Sequence, residues 1–395
     1  MAHDWSPKAG TRAVWGGEDT SFWHRSTQVP VVHSVSFGYD DIDQWLKVGT
    51  GAEKGHIYSR NTNPTVEAFE EKVRILEGAA AATSFASGMA AISNTLFALL
   101  KPGDRVVSIK DTYGGTNKLF IEFLPRYEIR VSLCETTDHD QIESEVARGC
   151  RILYLETPTN PTLKVVDIAK LAGVAHDHGA LVIVDNTFAT PINQNPLELG
   201  ADLVIHSATK FLGGHADALG GVVCGPDDLI RGIYHYREIT GAVLDPMAAY
   251  LLLRGMKTLH LRIARQNESA LAIAKFLEGH PAVQEVFYPG LHDHPGHSIA
   301  KQQMRGFGGV LSFTITGGLD TVKTFLPRLR FAHRAANLGA VETIAGPPAV
   351  TSHVECTPEE RASMGIPEGL VRYSVGIEDV SDLMMDLDKA LVGLG

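Results

Sequence analysis

At 395 residues, 44% hydrophobic and 21% charged, the chain has a globular composition and length enough for two packed domains around a sizeable core. A formal charge of −11 with no basic cluster argues against a nucleic-acid surface, and no apolar run is long enough to cross a bilayer. Cys134, Cys150, Cys224 and Cys356 lack CxxC spacing, so neither a metal site nor a disulfide framework is expected; Met1-Ala2-His3-Asp4 does not begin a signal peptide, and the expected location is cytoplasmic.

From Met1 to about residue 54 the sequence shows little periodicity, with Gly, Ser, Asp and His spread throughout. Such a segment has weak reasons to fold alone, and residues 1–60 are expected to form an N-terminal arm lying on a neighbouring subunit. The stretch from Gly55 to Thr65 is loop-like, and Pro64 suits the first turn of a helix. Val66, Phe69, Val73 and Leu76 then recur at helical spacing, with Gly78 as the stop. Tyr58 and Arg60 sit in the preceding loop. Arg60 suits a phosphate, although a lone loop arginine is more often merely solvated.

Ser87-Gly88-Met89-Ala90 leads into an apolar helix running from Ala91 to Leu100. A glycine at such a start lets backbone N–H groups approach an anion closely, a weak signal taken singly. Short strands and helices then alternate: Arg105–Ile109, a helix after Gly115, Ile129–Leu133, a helix from Asp138, Arg151–Leu155, and a helix over Asp167–His178. This order predicts a doubly wound, mostly parallel sheet spanning residues 61–250. Tyr113 follows the first of those strands, and Glu156 and Asn160 follow the third. Tyr113 reads equally well as a half-buried loop aromatic or as a ring that stacks on a flat ligand.

The run Leu181-Val182-Ile183-Val184 reads as a strand buried on both faces, and it stops at Asp185. A second run, Leu203-Val204-Ile205, ends in His206-Ser207-Ala208-Thr209-Lys210, with Gly213 and Gly214 beyond. An acid and a lysine are thereby predicted at neighbouring carboxyl ends, where open α/β sheets place their ligands. Taken singly, Asp185 is a turn cap and Lys210 a solvated lysine. Together, with Ser207 and Thr209 attached, they are what pyridoxal 5'-phosphate (PLP) requires. A lysine amine must bind its aldehyde, a carboxylate must face its ring nitrogen, and hydroxyls with free N–H groups must hold its phosphate.

A long helical stretch from about Met247 to Leu277 links to a smaller α+β region, placed at residues 251–395. There Val310–Ile315 and Val371–Val375 read as strands, and Val322–Leu329 and Val380–Leu391 as helices. Arg372 lies inside an apolar strand, and a buried arginine needs an anionic partner, either a protein carboxylate or that of a substrate.

The chain resembles the Cys/Met-metabolism family of PLP enzymes from about Thr27 to its end. The resemblance rests on YSRNTNPT (Tyr58–Thr65), ASGMAAI (Ala86–Ile92), YGGTN (Tyr113–Asn117), ETPTNP (Glu156–Pro161), VDNTFATP (Val184–Pro191), GADLVIHSATKFLGGH (Gly200–His215) and EGLVRYSVGIED (Glu368–Asp379). It implies PLP fold type I, the aminotransferase-like α/β fold. It also implies a homotetramer, a dimer of dimers whose active sites are shared across each dimer, acting on a small-molecule amino acid.

Carried over residue by residue, Lys210 would hold the cofactor and move protons, and Asp185 would pair with the ring nitrogen. Tyr113 would stack on the ring and assist proton transfer. Gly88, Met89, Ser207 and Thr209 would bind the phosphate, joined by Tyr58 and Arg60 of the neighbouring subunit. Asn160 would contact the ring hydroxyl. Arg372 would clamp the substrate α-carboxylate, with Asn337 and Tyr113 also facing the substrate. The implied reaction is γ-replacement or γ-elimination, cystathionine γ-synthase-like or O-acylhomoserine sulfhydrylase-like. The alternative is a γ-lyase acting on methionine, cystathionine or an atypical γ-substituted amino acid such as canavanine.

Several residues depart from the family pattern. Methionine γ-lyases carry a cysteine where this chain has Gly115, whereas YGGTN resembles the cystathionine enzymes. Ala336-Asn337 replaces the Glu-Ser of the latter and looks more like the sulfhydrylases. His33-Ser34, Trp15, and Pro347, Val350 and Thr351 also depart. Two other classes compete: a nicotinamide-dependent oxidoreductase, against which no GxGxxG follows the first strands, and a silent PLP-fold scaffold, which Lys210 and Asp185 oppose.

Overall fold

The computed structural model describes residues 7–18, 23, 25–354 and 357–394, so Cys356 lies outside the described residues. Seven strands build the larger sheet: β1 (Ala81–Phe85), β2 (Arg105–Ile109), β3 (Arg130–Cys134), β4 (Ile152–Glu156), β5 (Leu181–Asp185), β6 (Leu203–Ser207) and β7 (Gly221–Gly225). Their order is β1-β7-β6-β5-β4-β2-β3. From β6 to β3 every pair is parallel, while β7 runs antiparallel to both β6 and β1. The central strands read as continuous apolar runs because helices cover both faces; every residue of β4 is buried.

The parallel register sets the site. Glu156 pairs with Asp185 across β4 and β5, and Asp185 pairs with Ile205 across β5 and β6. The acids and the Ser207–Lys210 turn therefore meet at one carboxyl rim.

Four helices shape the N-terminal segment and one wall of the site: α1 (Ala9–Trp15), α2 (Ile42–Gly49), α3 (Pro64–Glu77) and α4 (Gly88–Leu99). In α3, Asn63 caps the first turn and Gly78, at φ 71°, closes the last, while Val66, Phe69, Val73 and Leu76 are buried. Each such side chain contributes about 1.5–3 kcal/mol on burial. α4 starts at Gly88 with Ser87 as its cap and packs on β6 and β7.

The smaller region holds a five-stranded sheet of β8 (Val283–Phe287), β9 (Val310–Ile315), β10 (His333–Arg334), β11 (Ile344–Gly346) and β12 (Leu370–Ser374), in the order β10-β11-β12-β9-β8. Only its β10–β11 pair is parallel. Among the described residues no helix is long and apolar enough to cross a membrane.

Two expectations are corrected. The helical stretch from Met247 to Leu277 is two helices, Pro246–Met256 and Leu259–Glu278, broken at Lys257-Thr258. A domain boundary at residue 250 therefore falls inside a helix. Within residues 1–60, α1 docks on α3 of its own chain, where the buried Lys72 amine donates to the Ala13 and Val14 carbonyls at 2.8 and 3.1 Å and pairs with Glu18 at 2.7 Å. Finally, the Val322–Leu329 helix runs instead over Gly318–Phe325 with a short turn after it.

Candidate active site

A cavity of about 270 Å³ opens at the carboxyl rim, between the two sheets. Its wall includes Gly88 and Met89 from the start of α4, Tyr113, Glu156, Asn160, Asp185, Ser207, Thr209, Lys210 and Arg372. The sequence reading proposes all of these except Glu156 as site residues, and the fold gathers them from six separate segments. Asn337 borders an adjoining hollow, and Thr209, Lys210, Leu219 and Ala336 line both. A larger cavity of about 490 Å³ lies between residues 162–165 and β8. The lysine there, Lys164, is bound to Asp111 at 2.8 Å, and none of the gathered residues reaches it.

Lys210 donates from Nζ to Asn337 Oδ1 at 2.7 Å. Burial, aided by the charge of Arg372, lowers the amine to about 8. Arg372 sits within β12 because its strand neighbours are apolar and buried. Its two terminal nitrogens donate to Asn160 Oδ1 at 2.9 Å and to the Asn337 main-chain oxygen at 3.0 Å. Burial lowers this guanidinium to about 10. No carboxylate neutralises it among its hydrogen-bond partners, and a cation held this way is prepared for an anion from outside the chain.

At the opposite wall, Asp185 Oδ1 accepts from the Thr187 N–H at 3.0 Å. Burial raises Asp185, while the Thr187 hydrogen bonds and the charge of His206 hold it down. Its register neighbour Glu156 is pushed further, well above the carboxylate range, by burial and by Asp185 itself. Glu156 Oε2 also accepts from the Tyr113 N–H at 2.8 Å, which fixes the loop carrying that ring. Tyr113 is partly exposed, with its ring on the pocket wall.

The third wall is built for an anion. Gly88 and Met89, whose N–H groups precede the Ser87 cap on the Ala90 N–H at 3.1 Å, line the cavity at the positive end of the α4 dipole. A Cβ built on Gly88 would lie 2.7 Å from Cβ of Ser207, so the glycine is what lets that hydroxyl stand beside the helix start. The Ser207 N–H is held in turn by Thr187 Oγ1 at 2.9 Å, and Thr209 Oγ1 accepts from the Gly220 N–H at 3.1 Å.

Tyr58 and Arg60 are not brought to this pocket within one chain. Arg60 lies over the Tyr58 ring at 5.1 Å and donates to the Glu238 main-chain oxygen at 3.1 Å on a separate surface. Wall residues that were not proposed for the site from the sequence include Ser87, Ile92, Thr187, Phe188, Leu219, Leu338 and Ser352. Thr187 carried a readable signal: a strand-end aspartate favours an Asx turn with the N–H two residues on.

This arrangement can hold a flat ring bearing an aldehyde near Lys210, a basic nitrogen near Asp185 and a phosphate at α4. The model of the family described as "Cys/Met metabolism PLP-dependent enzyme" matches residues 10–392. The chain belongs to that family. It is 42% identical over 385 residues to an L-methionine gamma-lyase of Fusobacterium nucleatum, covering 97% of both chains. It is 44% identical over 359 residues to a cystathionine gamma-lyase of Bacillus subtilis, covering 91% of this chain and 94% of that one. In solved structures it superposes on a cystathionine gamma synthase from Xanthomonas oryzae, in complex with aminoacrylate and cysteine, with TM-score 0.93, 37% identity and 98% of each chain covered. The protein is thus a PLP-dependent enzyme of fold type I, as its motifs imply. The acid, amine and anion walls fit that cofactor.

Proposed function

We propose that this enzyme acts on an L-amino acid carrying a leaving group on its γ carbon, by γ-elimination or γ-replacement. The observation that carries this reading is the placement of Lys210 between an acid at one wall and a fixed guanidinium at the other, with Asn337 touching both cations. PLP, when bound, supplies the electron sink.

The rest is assigned to the chain's own residues. Arg372 binds the α-carboxylate and thereby points the α hydrogen at Lys210. Lys210, with its amine near 8, takes that proton and then one from the β carbon as a general base working close to neutral pH. Asp185 faces the ring nitrogen, and Asn160 the ring hydroxyl. Gly88, Met89, Ser207 and Thr209 take the phosphate. Tyr113 covers the ring and returns a proton to the departing group.

Tyr58 and Arg60 are assigned to the phosphate of a second copy, in a homotetramer built from two dimers. The exposed apolar side chains Val35, Ile42 and Leu46 support this, since they give the segment holding α2 a face to bury. A cytoplasmic location completes the reading.

Between the two outcomes, elimination is favoured. Among the described wall residues Arg372 is the one guanidinium, and it serves one carboxylate. Replacement remains as a second reading because of Gly115. A Cβ there would lie 2.9 Å from both Met89 Sδ and the Tyr113 ring, so the cysteine of methionine γ-lyases has no room without moving Tyr113. Product analysis by mass spectrometry decides between them. The holoenzyme is given O-acetyl- and O-succinylhomoserine with and without cysteine or sulfide, and, separately, methionine, cystathionine and canavanine. An α-keto acid with ammonia supports elimination, and a thioether or homocysteine supports replacement. No turnover of any γ-substituted amino acid sinks the proposal.

A further inference from the structure

The larger cavity takes no part in the proposed chemistry, but the lysine on its wall reaches back toward the catalytic rim. Lys164 Nζ lies 2.8 Å from Oδ2 of Asp111, which is 2% exposed. Asp111 stands two residues past the end of β2 and two before Tyr113. Its Oδ2 also accepts from the Thr136 hydroxyl, and its N–H donates to Thr136 Oγ1 at 3.4 Å. Stability alone is a weak reason for such a pair. A buried ion pair is on average no more stabilising than apolar side chains of the same volume.

Position supplies a better one. The span Asp111-Thr112-Tyr113 is fastened at both ends: Glu156 Oε2 takes the Tyr113 N–H at 2.8 Å, while Lys164 and Thr136 hold Asp111. Between them Thr112 is 1% exposed, so the span has no room to swing. The main chain of Lys164 is fixed in turn. Its N–H donates to Thr159 Oγ1 at 3.1 Å and its oxygen accepts from the Thr159 N–H at 3.0 Å, which closes the loop carrying Asn160. Those bonds do not depend on the lysine side chain. The ammonium has two further contacts, Glu135 Oε1 at 3.6 Å and the Met364 main-chain oxygen at 3.2 Å, the latter in the segment before β12 and Arg372.

We propose that the Lys164–Asp111 pair positions Tyr113 for proton transfer to the departing group. Lys164 is a positioning residue: it acts through Asp111 on the turn that carries the phenol, and it does not line the catalytic cavity. Any shift of that turn strains the ion pair and the Thr136 hydrogen bonds together, so the phenol keeps one place instead of a range of places. Misplacing a reacting group by about 1 Å can cost on the order of 10²-fold in rate, and that is the scale on which the pair acts.

The inference rests on the assignment of Tyr113 as the group that returns the proton, and a double-mutant cycle separates the two. Holoenzymes of wild type, Lys164→Met, Lys164→Arg, Tyr113→Phe and Lys164→Met/Tyr113→Phe are compared in kcat, KM, PLP affinity and Tm, on the γ-substituted amino acid that wild type turns over. Tyr113→Phe is expected to lower kcat. Lys164→Met is expected to lower kcat by roughly 10- to 100-fold with KM and PLP affinity little changed. It should add no further loss once the phenol is gone, since residues that act as one unit are not additive. Lys164→Arg keeps the charge and should recover most of the kcat. Should Lys164→Met not fold, Lys164→Met/Asp111→Asn takes its place in the cycle, because it leaves no unpaired buried charge. An unchanged kcat, or equal losses with and without the Tyr113 hydroxyl whatever the Tm, overturns the proposal and leaves a purely structural pair. A loss carried by KM overturns it as well, and moves the action of the lysine to its Met364 contact. A wild-type kcat in Tyr113→Phe overturns the assignment of Tyr113 itself, and the proposal with it.

Discussion

Lys210 and Asn337, 127 residues apart in the chain, meet at 2.7 Å, amine to amide oxygen. The same asparagine accepts from Arg372 through its main-chain oxygen. The residue expected from the sequence to stand where the cystathionine enzymes carry serine thus touches the base directly and borders the carboxylate clamp. Replacing Asn337 by Ala removes one hydrogen bond to a charged group, worth about 1.5–3 kcal/mol. Steady-state kinetics on the preferred substrate should show kcat/KM lower by roughly tenfold or more, with PLP still bound.

Removing the base itself is more severe. Lys210→Ala should lose the colour of the lysine-linked cofactor and at least ~10³-fold in kcat, the range of a deleted general acid–base group. Absorption spectroscopy and turnover on one sample check both. Retained colour and turnover would show that the lysine of the site lies elsewhere.

The pH dependence comes from the Lys210 shift. Its folded value, about 8, lies below the ordinary 10.5, so the neutral amine is present above about pH 8. The rate at which apoenzyme captures PLP should therefore rise through pH 8. Between the two values the unfolded chain binds the extra proton, so Lys210 makes apoenzyme stability increase with pH across that window. Arg372→Leu removes the charge named as the second cause and should move the capture midpoint upward.

Arg372 also tests the carboxylate assignment. Arg372→Lys keeps the charge but not the two-pronged geometry. The loss should appear mainly in KM, with kcat/KM lower by roughly 10- to 150-fold, for about 1.5–3 kcal/mol. Substrate amides should lose their disadvantage in the variant.

The anion wall is tested at Gly88. A methyl there meets Ser207 Cβ at 2.7 Å, and the hydroxyl must move. Gly88→Ala should weaken PLP binding by roughly tenfold, one lost hydrogen bond to a charged group. Equilibrium dialysis of the cofactor reads it.

Much of the site was legible in the sequence because charge inside an apolar run is an anomaly that folding must explain. Asp185, Lys210 and Arg372 each stood at or in such a run, and the β–α alternation put the first two at one rim. The Ala81–Phe85 and Gly221–Gly225 strands escaped notice because AATSF and GVVCG are too short and too rich in small residues to show a period. Their role as the antiparallel edge of the sheet depends on pairing between strands more than 130 residues apart. The break at Lys257-Thr258 was invisible because both residue types are tolerated within helices. Asn337's contact with Lys210 and Lys164's contact with Asp111 are products of topology. No local pattern announces either.

In the proposed mechanism Lys210 removes a β proton so that a γ substituent can leave. Holoenzyme turned over in deuterium oxide tests it, with the product examined by NMR. Solvent deuterium is expected on the β carbon, whether the product is an α-keto acid or a γ-replaced amino acid. A product formed with no deuterium at that carbon would mean that the γ bond is broken without β-proton removal, and would contradict it.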